Sequence, residues 1–361
     1  MSLITAANLS KRFNLEAGFF APLGRYVNAV NGVSFEIGEN ESYGLVGESG
    51  CGKTTTARLL VRMYERTDGE IRYRGKDITA FGRRELGRYR EKVRYVFQDP
   101  ARSLNPRMNV YETLTSGLRW SSRWKGRTEA HRKAAAILEE TGLSARDLDR
   151  RPAEFSGGQR QRISIARGLL VEPELLICDE VVSALDVSVQ GQILNLLLDI
   201  RARRGVSFLF IAHDLRVASW FCDRIGVMYR GELMEEAPAA DLYKTARHPY
   251  TKLLFSSVEG SEGAAIESGE DRERGAHFQT VPGAQQPSLS RPPTAGPGSR
   301  PTPDKDVNVD RGARGVTFAP ETALNGCAFA GRCPYADENC RAAKPEMREV
   351  SEGRIVRCFK A

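Results

Sequence analysis

The 361-residue sequence lacks the features that mark membrane-spanning, secreted and disulfide-stapled proteins. No stretch approaches the roughly 20 uninterrupted apolar residues of a membrane-spanning helix. The first residues have neither a basic start nor an apolar run, so we expect no signal peptide and a protein that stays in the cytosol. Because the cytosol is reducing, we expect no disulfides among the seven cysteines. Hydrophobic residues make up 41% and charged residues 27%, which is ordinary for a chain with one large core.

Basic residues outnumber acidic ones, which gives a formal net charge of +7. This charge permits contact with nucleic acid or with an anionic membrane surface but does not decide between them. Arginine is scattered along the chain rather than clustered, so a solvated basic surface is the simpler explanation. Composition alone therefore assigns no partner.

Residues 47–54 read GESGCGKT, which is the spacing of a phosphate-binding loop. A short apolar strand precedes them and a helix-forming stretch follows, which makes a chance glycine-rich turn the weaker explanation. Glycines let successive backbone N–H groups turn into one concavity, and the helix N-terminus adds its positive end. Lys53 can reach the β- and γ-phosphates, and Thr54 can bind Mg²⁺. The residues expected to contact nucleotide here are Gly47, Ser49, Gly50, Cys51, Gly52, Lys53, Thr54 and Thr55.

Apolar strands alternate with helical stretches over residues 1–257, which predicts an α/β fold with a mostly parallel, covered sheet. The first stretch, residues 3–12, alternates weakly and is expected to form an edge strand. Strand signals stop between about residues 99 and 170, where three predicted helices indicate a helical insertion. In parallel sheets, ligands bind beyond the carboxyl ends of the strands. Five polar residues fall at or just past such ends: Lys53, Gln98, Asp179, Glu180 and His213.

Two further segments predict chemistry near the phosphate loop. Asp179 and Glu180 follow an apolar strand, so the aspartate can hold Mg²⁺ and its neighbour can orient or deprotonate an attacking water. The alternative explanation is that these are two surface carboxylates that only cap the strand. Ser156 opens a helix with Gly157 and Gly158, which makes a second anion site. Two anion sites with one nucleotide suggest a second subunit whose phosphate loop faces Ser156.

Residues 156–159 resemble the signature motif of ABC-transporter ATPases. Residues 47–54, Gln98, 179–180, 183–186 and His213 match that family's Walker A, Q-loop, Walker B, D-loop and H-loop, in family order. The resemblance implies an ABC-type P-loop ATPase with a RecA-like, mostly parallel core sheet, an antiparallel β edge and a helical subdomain at about 99–170. It also implies a head-to-tail dimer, in which each ATP lies between one subunit's Lys53 and the signature serine of the other.

The same resemblance implies a role for each motif residue. Glu180 is the general base, His213 contacts the γ-phosphate, and Gln98 couples Mg²⁺ to the transmembrane partner. Phe13 matches the aromatic residue that stacks on adenine, with Tyr26 as a rival because the intervening loop is long. Val181 departs from the proline that is usual there, with a small expected effect. Further ATP contacts are Gln98, Ser156, Gly157, Gly158, Gln159, Asp179 and Asp186, and the Mg²⁺ ligands are Thr54, Gln98 and Asp179.

Longer stretches resemble one branch of that family, the ATPases of oligopeptide, dipeptide and nickel importers. They are residues 44–53, 96–100, 103–106, 154–162 and 248–251, and the insertion after Phe13 resembles the second, F-type ATPase of such a pair. The branch implies a subunit that hydrolyses ATP to import peptides or similar small solutes, at the cytoplasmic face of the inner membrane. The implied partners are a sister or identical ATPase, two transmembrane permeases and an extracytoplasmic solute-binding protein, without nucleic acid.

The alternative from another class is a soluble ABC ATPase that acts on nucleic acid or ribosomes. The basic charge permits it. The single cassette, rather than a tandem pair, argues against it, as does a modest helical insertion in place of a long coiled coil.

Composition changes after residue 257. Residues 258–317 are rich in Gly, Pro, Ser and charge and predict a flexible linker. Residues 318–361 recover apolar and cysteine content and are expected to form a compact, cysteine-rich C-terminal extension.

Four cysteines fall in this extension: Cys327, Cys333, Cys340 and Cys358. Zinc, an iron–sulfur cluster, disulfides and unmetallated thiols are all open, although the C-x₂₋₄-C pairs of structural zinc are missing and four thiolates suit a [4Fe–4S] cluster. Residues 326–329 and 332–336 resemble the importer tail, some members of which carry such a cluster. A redox or iron sensor that gates the ATPase is a further hypothesis for this segment.

Overall fold

The computed structural model describes residues 2–14, 26–259 and 325–361. Most of the expected linker lies outside these ranges, as do residues 15–25 and residues 318–324 of the expected tail. The strands are β1 (Ser2–Asn14), β2 (Tyr26–Gly38), β3 (Ser42–Val46), β4 (Asp68–Tyr73), β5 (Lys76–Asp77), β6 (Val93–Val96), β7 (Leu175–Asp179), β8 (Ser207–Ala212), β9 (Arg224–Tyr229), β10 (Glu232–Pro238), β11 (Arg348–Ser351) and β12 (Arg354–Val356).

The α-helices are α1 (Lys53–Leu60), α2 (Arg83–Lys92), α3 (Pro100–Ser103), α4 (Val110–Leu118), α5 (Arg127–Glu140), α6 (Gly157–Leu169), α7 (Val187–Arg204), α8 (Leu215–Phe221), α9 (Ala239–Thr245), α10 (Pro249–Glu259) and α11 (Glu338–Ala342). Short 3₁₀ helices span Ile78–Ala80, Ala145–Asp149 and Pro152–Glu154. Among the described residues, no helix combines the length and the apolar character that crossing a bilayer requires.

Eight strands form the central sheet, in the order β11-β12-β10-β9-β3-β8-β7-β6. Neighbours from β9 to β6 are parallel, and the other pairs are antiparallel. Every residue of β3, β7 and β8 is buried. One face of these strands packs against helices of the large core, and the other packs against α1 and a second sheet. The mostly parallel core sheet predicted from the sequence is confirmed.

The second sheet has four antiparallel strands in the order β2-β1-β4-β5. Because β1 lies between two partners, the prediction that it is an edge strand is wrong. Its register shifts near Leu9 in both ladders, which interrupts the apolar alternation and leaves the weak pattern that suggested an edge. Leu3, Ile4 and Leu9 are nevertheless buried in the core between the two sheets.

Helices α3 to α6 fill the interval between β6 and β7, where strand signals stop in the sequence. Leu114, Ile137 and Ile163, from α4, α5 and α6, share one apolar core with the parallel strands. A capping box begins α6: Ser156 Oγ accepts from the N–H of Gln159, whose side chain accepts from the N–H of Ser156. The helical subdomain thereby fixes the position of the signature segment.

Residues 325–361 join the central sheet. β12 pairs antiparallel with β10, and Arg357 N donates to Met234 O at 2.8 Å. Arg354 pairs with Glu235 at 2.9 Å; both side chains are almost fully buried, and Glu235 also accepts two backbone N–H groups. The sequence pattern did not predict β10, because its three buried glutamates read as a polar surface. Each glutamate forms an ion pair with an arginine or lysine from another part of the chain, and these pairs form only when the chain folds.

Candidate nucleotide-binding site

The phosphate loop lies between β3 and α1, at the carboxyl edge of the parallel strands. Two of its glycines are required by the backbone. Gly47 has φ of +150°, and a Cβ there would lie 2.2 Å from Met228 O; Gly52 has φ of +107°, and a Cβ there would lie 2.2 Å from Ala29 O. Ser49 and Gly50 are exposed at the tip, and Cys51 is buried beneath it. The loop therefore lies close to β9 at its first glycine, Gly47, and close to β2 at Gly52.

Lys53 is buried under the loop, with 4% of its surface exposed. Its Nζ donates to Gly47 O at 2.7 Å and to Glu48 O at 3.0 Å. Among the described residues, no carboxylate forms an ion pair with it. Its other contact is Cys51 Sγ at 3.8 Å. A buried ammonium held by neutral groups is a strong site for an incoming anion. The following residues, Thr54 and Thr55, are half-buried at the start of α1.

Asp179, at the end of β7, is 1% exposed and accepts two hydroxyl hydrogen bonds. Thr54 Oγ1 donates to its Oδ1 at 2.9 Å, and Tyr95 OH donates to its Oδ2 at 2.5 Å. Burial, followed by the charge of Asp179, raises the pKa of Tyr95, so its hydroxyl stays protonated as a donor. The oxygen atoms of Thr54 and Asp179 are ligands of the kind that a hard cation such as Mg²⁺ prefers. Sequence reasoning did not single out Tyr95, although a tyrosine one residue before the end of an apolar strand is a usable signal.

Glu180 follows at once with φ of +48°, a left-handed conformation that is uncommon for a non-glycine residue. Its N–H donates to Ile211 O at 3.1 Å, and its carbonyl accepts from Ser183 Oγ at 2.9 Å. Gln98 Nε2 donates to Glu180 Oε2 at 2.6 Å. The backbone is thus fixed on both sides, whereas the carboxylate is half-exposed and engaged by a single amide. Strain of this kind concentrates at functional sites.

The other predicted contact residues lie on the surface. Ser156, Gln159, Asp186 and His213 are exposed, and Gly157 and Gly158 are half-exposed at the start of α6. Asp186 precedes α7 without a side-chain capping hydrogen bond. Within the described ranges, no hydrogen bond or ion pair joins any of these residues to the group around Lys53 and Asp179. His213 nevertheless directly follows Ala212, which pairs with Val46 beside the phosphate loop, whereas the residues at the start of α6 lie in the helical subdomain.

Phe13 and Tyr26, the two candidates for the adenine contact, lie at the same end of the β1–β2 pair, where Phe13 faces Val27 and Asn14 faces Tyr26. Phe13 packs edge-on against Tyr64 at 5.3 Å between ring centroids. Tyr26 is 43% exposed, with the Arg12 guanidinium 5.6 Å from its ring. Both rings therefore lie at one end of the second sheet, and the adenine contact stays a prediction for Phe13 with Tyr26 as its rival.

Cys327, Cys333, Cys340 and Cys358 line one cavity, together with His248. The four cysteines are free thiols. Burial raises the pKa of Cys327 and lowers the pKa of His248 to about 4, so both groups are neutral at pH 7. Within the described residues, no three His, Cys, Asp or Glu side chains are close enough to hold one metal ion. A [4Fe–4S] cluster takes one thiolate on each of several irons, and its presence here stays a prediction from the sequence.

A phosphate loop, a buried lysine and a threonine–aspartate pair at the edge of a parallel sheet define a P-loop nucleotide-binding domain. Solved structures agree. An ATP-binding cassette, solved as a dimer in a post-hydrolysis state with ADP and Pi, matches with a TM-score of 0.58 and 26% identity, over 65% of this chain and 98% of that chain. A dimeric bacterial ABC transporter cassette gives the same TM-score and coverage with 27% identity.

Family models and relatives narrow the class. The ABC transporter model matches residues 30–183, and the model of the oligopeptide/dipeptide transporter C-terminal region matches residues 234–282 and 298–340. YkfD of Bacillus subtilis, a putative oligopeptide transport ATP-binding protein, is 38% identical over 347 residues, which is 95% of this chain and 93% of YkfD. The oligopeptide transport ATP-binding protein OppF of that organism is 47% identical over 246 residues, or 68% of this chain and 80% of OppF.

A putative peptide import ATP-binding protein of Brucella ovis is 39% identical over 332 residues, which is 92% of this chain and 91% of that protein. The chain belongs to the ABC transporter ATP-binding proteins, in the oligopeptide/dipeptide branch. The resemblance inferred from its motifs is confirmed.

Replacing Tyr95 with phenylalanine removes one of the two donors to the buried Asp179 carboxylate. Because hydrogen bonds to charged groups contribute about 1.5–3 kcal/mol, we expect the free energy of unfolding to fall by about 2 kcal/mol. Urea denaturation of the full-length chain measures it. Tyr111→Phe is the control, since that hydroxyl makes only a long, exposed contact of 3.5 Å with Arg127 O. Equal losses in the two variants would contradict the role assigned to Tyr95.

Proposed function

We propose that this chain is the ATP-hydrolysing subunit of an ABC importer for peptides or similar small solutes. The observation that carries the proposal is the direct contact between Thr54 and Asp179 beside the buried Lys53, since it assembles a phosphate site and a cation site on one edge. The relatives bear names of oligopeptide and peptide import ATP-binding proteins, which supports the solute class.

In this proposal, Lys53 exchanges its two carbonyl partners for the β- and γ-phosphates, and the amides of residues 49–55 complete the cradle. Thr54 and Asp179, with Gln98 as a further ligand, would hold Mg²⁺, which would supply positive charge to neutralise the phosphates. Glu180 orients and deprotonates the attacking water. In the described conformation Gln98 occupies the Glu180 carboxylate, so the base is engaged until Gln98 moves. A glutamine that contacts either the cation or the Glu180 carboxylate suits a role in coupling the site to the permease.

We propose that a second subunit completes each site. Ser156, Gly157, Gly158 and Gln159 present a helix N-terminus to which no carboxylate of the described ranges is hydrogen-bonded. This end can receive the γ-phosphate bound by another subunit. The exposed Asp186 is available at the same interface, and His213, which directly follows β8 beside the phosphate loop, contacts the γ-phosphate. The dimeric cassette solved with ADP and Pi supports such a pairing. The second ATPase is a sister or an identical chain, and two permeases and a solute-binding protein complete the importer at the cytoplasmic face of the inner membrane.

The proposed division of the chain is a nucleotide-binding domain at residues 1–257, with its helical subdomain at about 99–170, a linker at 258–317 and a cysteine-rich extension at 318–361. The pairing of β12 with β10 supports a docked rather than an independent extension. We propose that Cys327, Cys333, Cys340 and Cys358 hold a [4Fe–4S] cluster. Such a cluster would cross-link the turns before α11, α11 itself and the segment after β12, and so serve a structural role.

The substitution Glu180→Gln tests the ATPase assignment. It removes the base but keeps a side chain that can accept the Gln98 hydrogen bond, so we expect ATP hydrolysis to slow by about 10²–10⁴-fold. The affinity for MgATP should stay within roughly twofold, because the phosphate loop is untouched. Steady-state phosphate release and equilibrium nucleotide binding measure the two quantities. Glu139→Gln, at an exposed position of α5, is the matched control, and a near-normal rate in Glu180→Gln would refute the assignment of the base.

Iron analysis tests the cluster separately from the ATPase. Protein purified without oxygen should carry about four iron atoms per chain and a broad visible absorption band. Cys333→Ser should lose most of this iron, whereas Cys222→Ser, at the buried cysteine that follows α8, should retain it. Wild-type protein with negligible iron, or with stoichiometric zinc, would show that the four thiols do not hold a cluster.

A further inference from the structure

Two residues from later parts of the chain hold the phosphate loop at Glu48. Arg332 Nη1 lies 2.9 Å from Glu48 Oε2, and the N–H of Glu48 donates to Tyr250 OH at 3.0 Å. The carbonyl of the same residue accepts from Lys53 Nζ at 3.0 Å. The carboxylate, the N–H and the carbonyl of Glu48 are therefore each engaged. Two of the three partners come from the C-terminal part of the chain.

Tight turns and aromatic rings hold Arg332 in place. It lies between Cys327 and Cys333, where Ala330 N donates to Cys327 O at 3.0 Å and Arg332 N donates to Phe329 O at 3.0 Å. Its guanidinium is 5.8 Å from the ring centres of both Tyr229 and Phe329. Stacking on aromatic faces limits the rotamers of an arginine, so less entropy is lost when it pairs with a carboxylate.

Tyr250 belongs to the same aromatic cluster, which consists of Tyr229, Tyr250 and Phe329. Its ring centroid is 4.6 Å from that of Tyr229 and 5.3 Å from that of Phe329, and its side chain is fully buried. Its N–H donates to His248 Nδ1 at 3.0 Å, which fixes the start of α10. One rigid cluster therefore carries both contacts to Glu48. Tyr229 ends β9, the parallel neighbour of β3, so the cluster lies beside the loop that β3 feeds.

We propose that Arg332 and Tyr250 are positioning residues that set the shape of the phosphate loop before nucleotide binds. By fixing Glu48 at its N–H and at its carboxylate, they keep the amides that follow turned into the loop. Preorganisation of this kind raises affinity without any new contact to the ligand. The inference rests on the proposed function, because it requires that the loop bind nucleotide phosphates.

The opposite expectation is an inert surface ion pair. The Arg332 and Glu48 side chains are 45% and 42% exposed, and exposed pairs contribute little on their own. The two expectations differ in nucleotide affinity. A positioning role predicts that loss of either partner weakens nucleotide binding by a similar factor, whereas an inert pair predicts no change.

The test measures equilibrium binding of MgADP and MgATP to the full-length chain by isothermal titration calorimetry. We expect Arg332→Ala and Glu48→Gln each to raise Kd by about threefold, and the double variant to raise it no further. Arg332→Lys should recover part of the affinity. Tyr250→Phe, which leaves the Glu48 N–H without its acceptor, should raise Kd by about three- to tenfold. In steady-state hydrolysis the same variants should raise KM while kcat stays within roughly twofold.

Arg341→Ala, at an exposed arginine of the same segment, is the matched control, and thermal melting confirms that each variant is folded. Nucleotide affinities of Arg332→Ala and Tyr250→Phe that equal the wild-type value would overturn the positioning role and leave the proposed ATPase function intact. Multiplicative effects of Arg332→Ala and Glu48→Gln would also overturn it, since the two side chains would then act independently. Failure of the wild-type chain to bind nucleotide would overturn both the positioning role and the proposed function.

Discussion

A buried ammonium group sets the requirements of the nucleotide site. Lys53 is 4% exposed and is held by the carbonyls of Gly47 and Glu48. A buried charge is costly unless it is fully hydrogen-bonded, so the loop must curve tightly enough to turn its carbonyls toward the lysine. Glycine at the two ends permits that curvature, because any Cβ at Gly47 or Gly52 would collide with backbone. An entering polyphosphate offers the ammonium a stronger partner than either carbonyl.

The parallel sheet brings the second half of the chemistry to the same edge. β6 and β7 end side by side, so Tyr95, Gln98, Asp179 and Glu180 reach one place from two strands. The two acidic neighbours differ in their surroundings: Asp179 is buried between two hydroxyl donors, whereas Glu180 is half-exposed and bonded to one amide. The rigidly held carboxylate of Asp179 suits a cation ligand. The carboxylate of Glu180, which is freed when one amide moves away, suits a general base. The C-terminal segment then reaches the phosphate loop through Glu48, so the loop has supports on both sides.

Local patterns predicted the parts of this site that depend on spacing. The phosphate loop, the Asp179–Glu180 pair and the opening of α6 were located because each motif is contiguous and flanked by regular apolar strands or helices. The position of β1 was predicted wrongly, since its bulged register hides the alternation of a paired strand. β10 was not predicted, because two of its three buried glutamates pair with cations that lie 112 and 119 residues away in sequence. The contacts of Tyr95 and Arg332 also depend on tertiary packing, which no single motif encodes.

The central claim is that Lys53 anchors a nucleotide at the edge of the parallel sheet. The most direct measurement is the Kd of MgATP for the full-length chain and for Lys53→Ala, by isothermal titration calorimetry, with the exposed Lys76→Ala as the control. Loss of the ammonium removes the main charge partner of the phosphates, so affinity should fall by about a hundredfold or more, while Lys76→Ala binds as the wild type does. Unchanged affinity in Lys53→Ala would contradict the account, because the buried lysine would then have no part in holding the nucleotide.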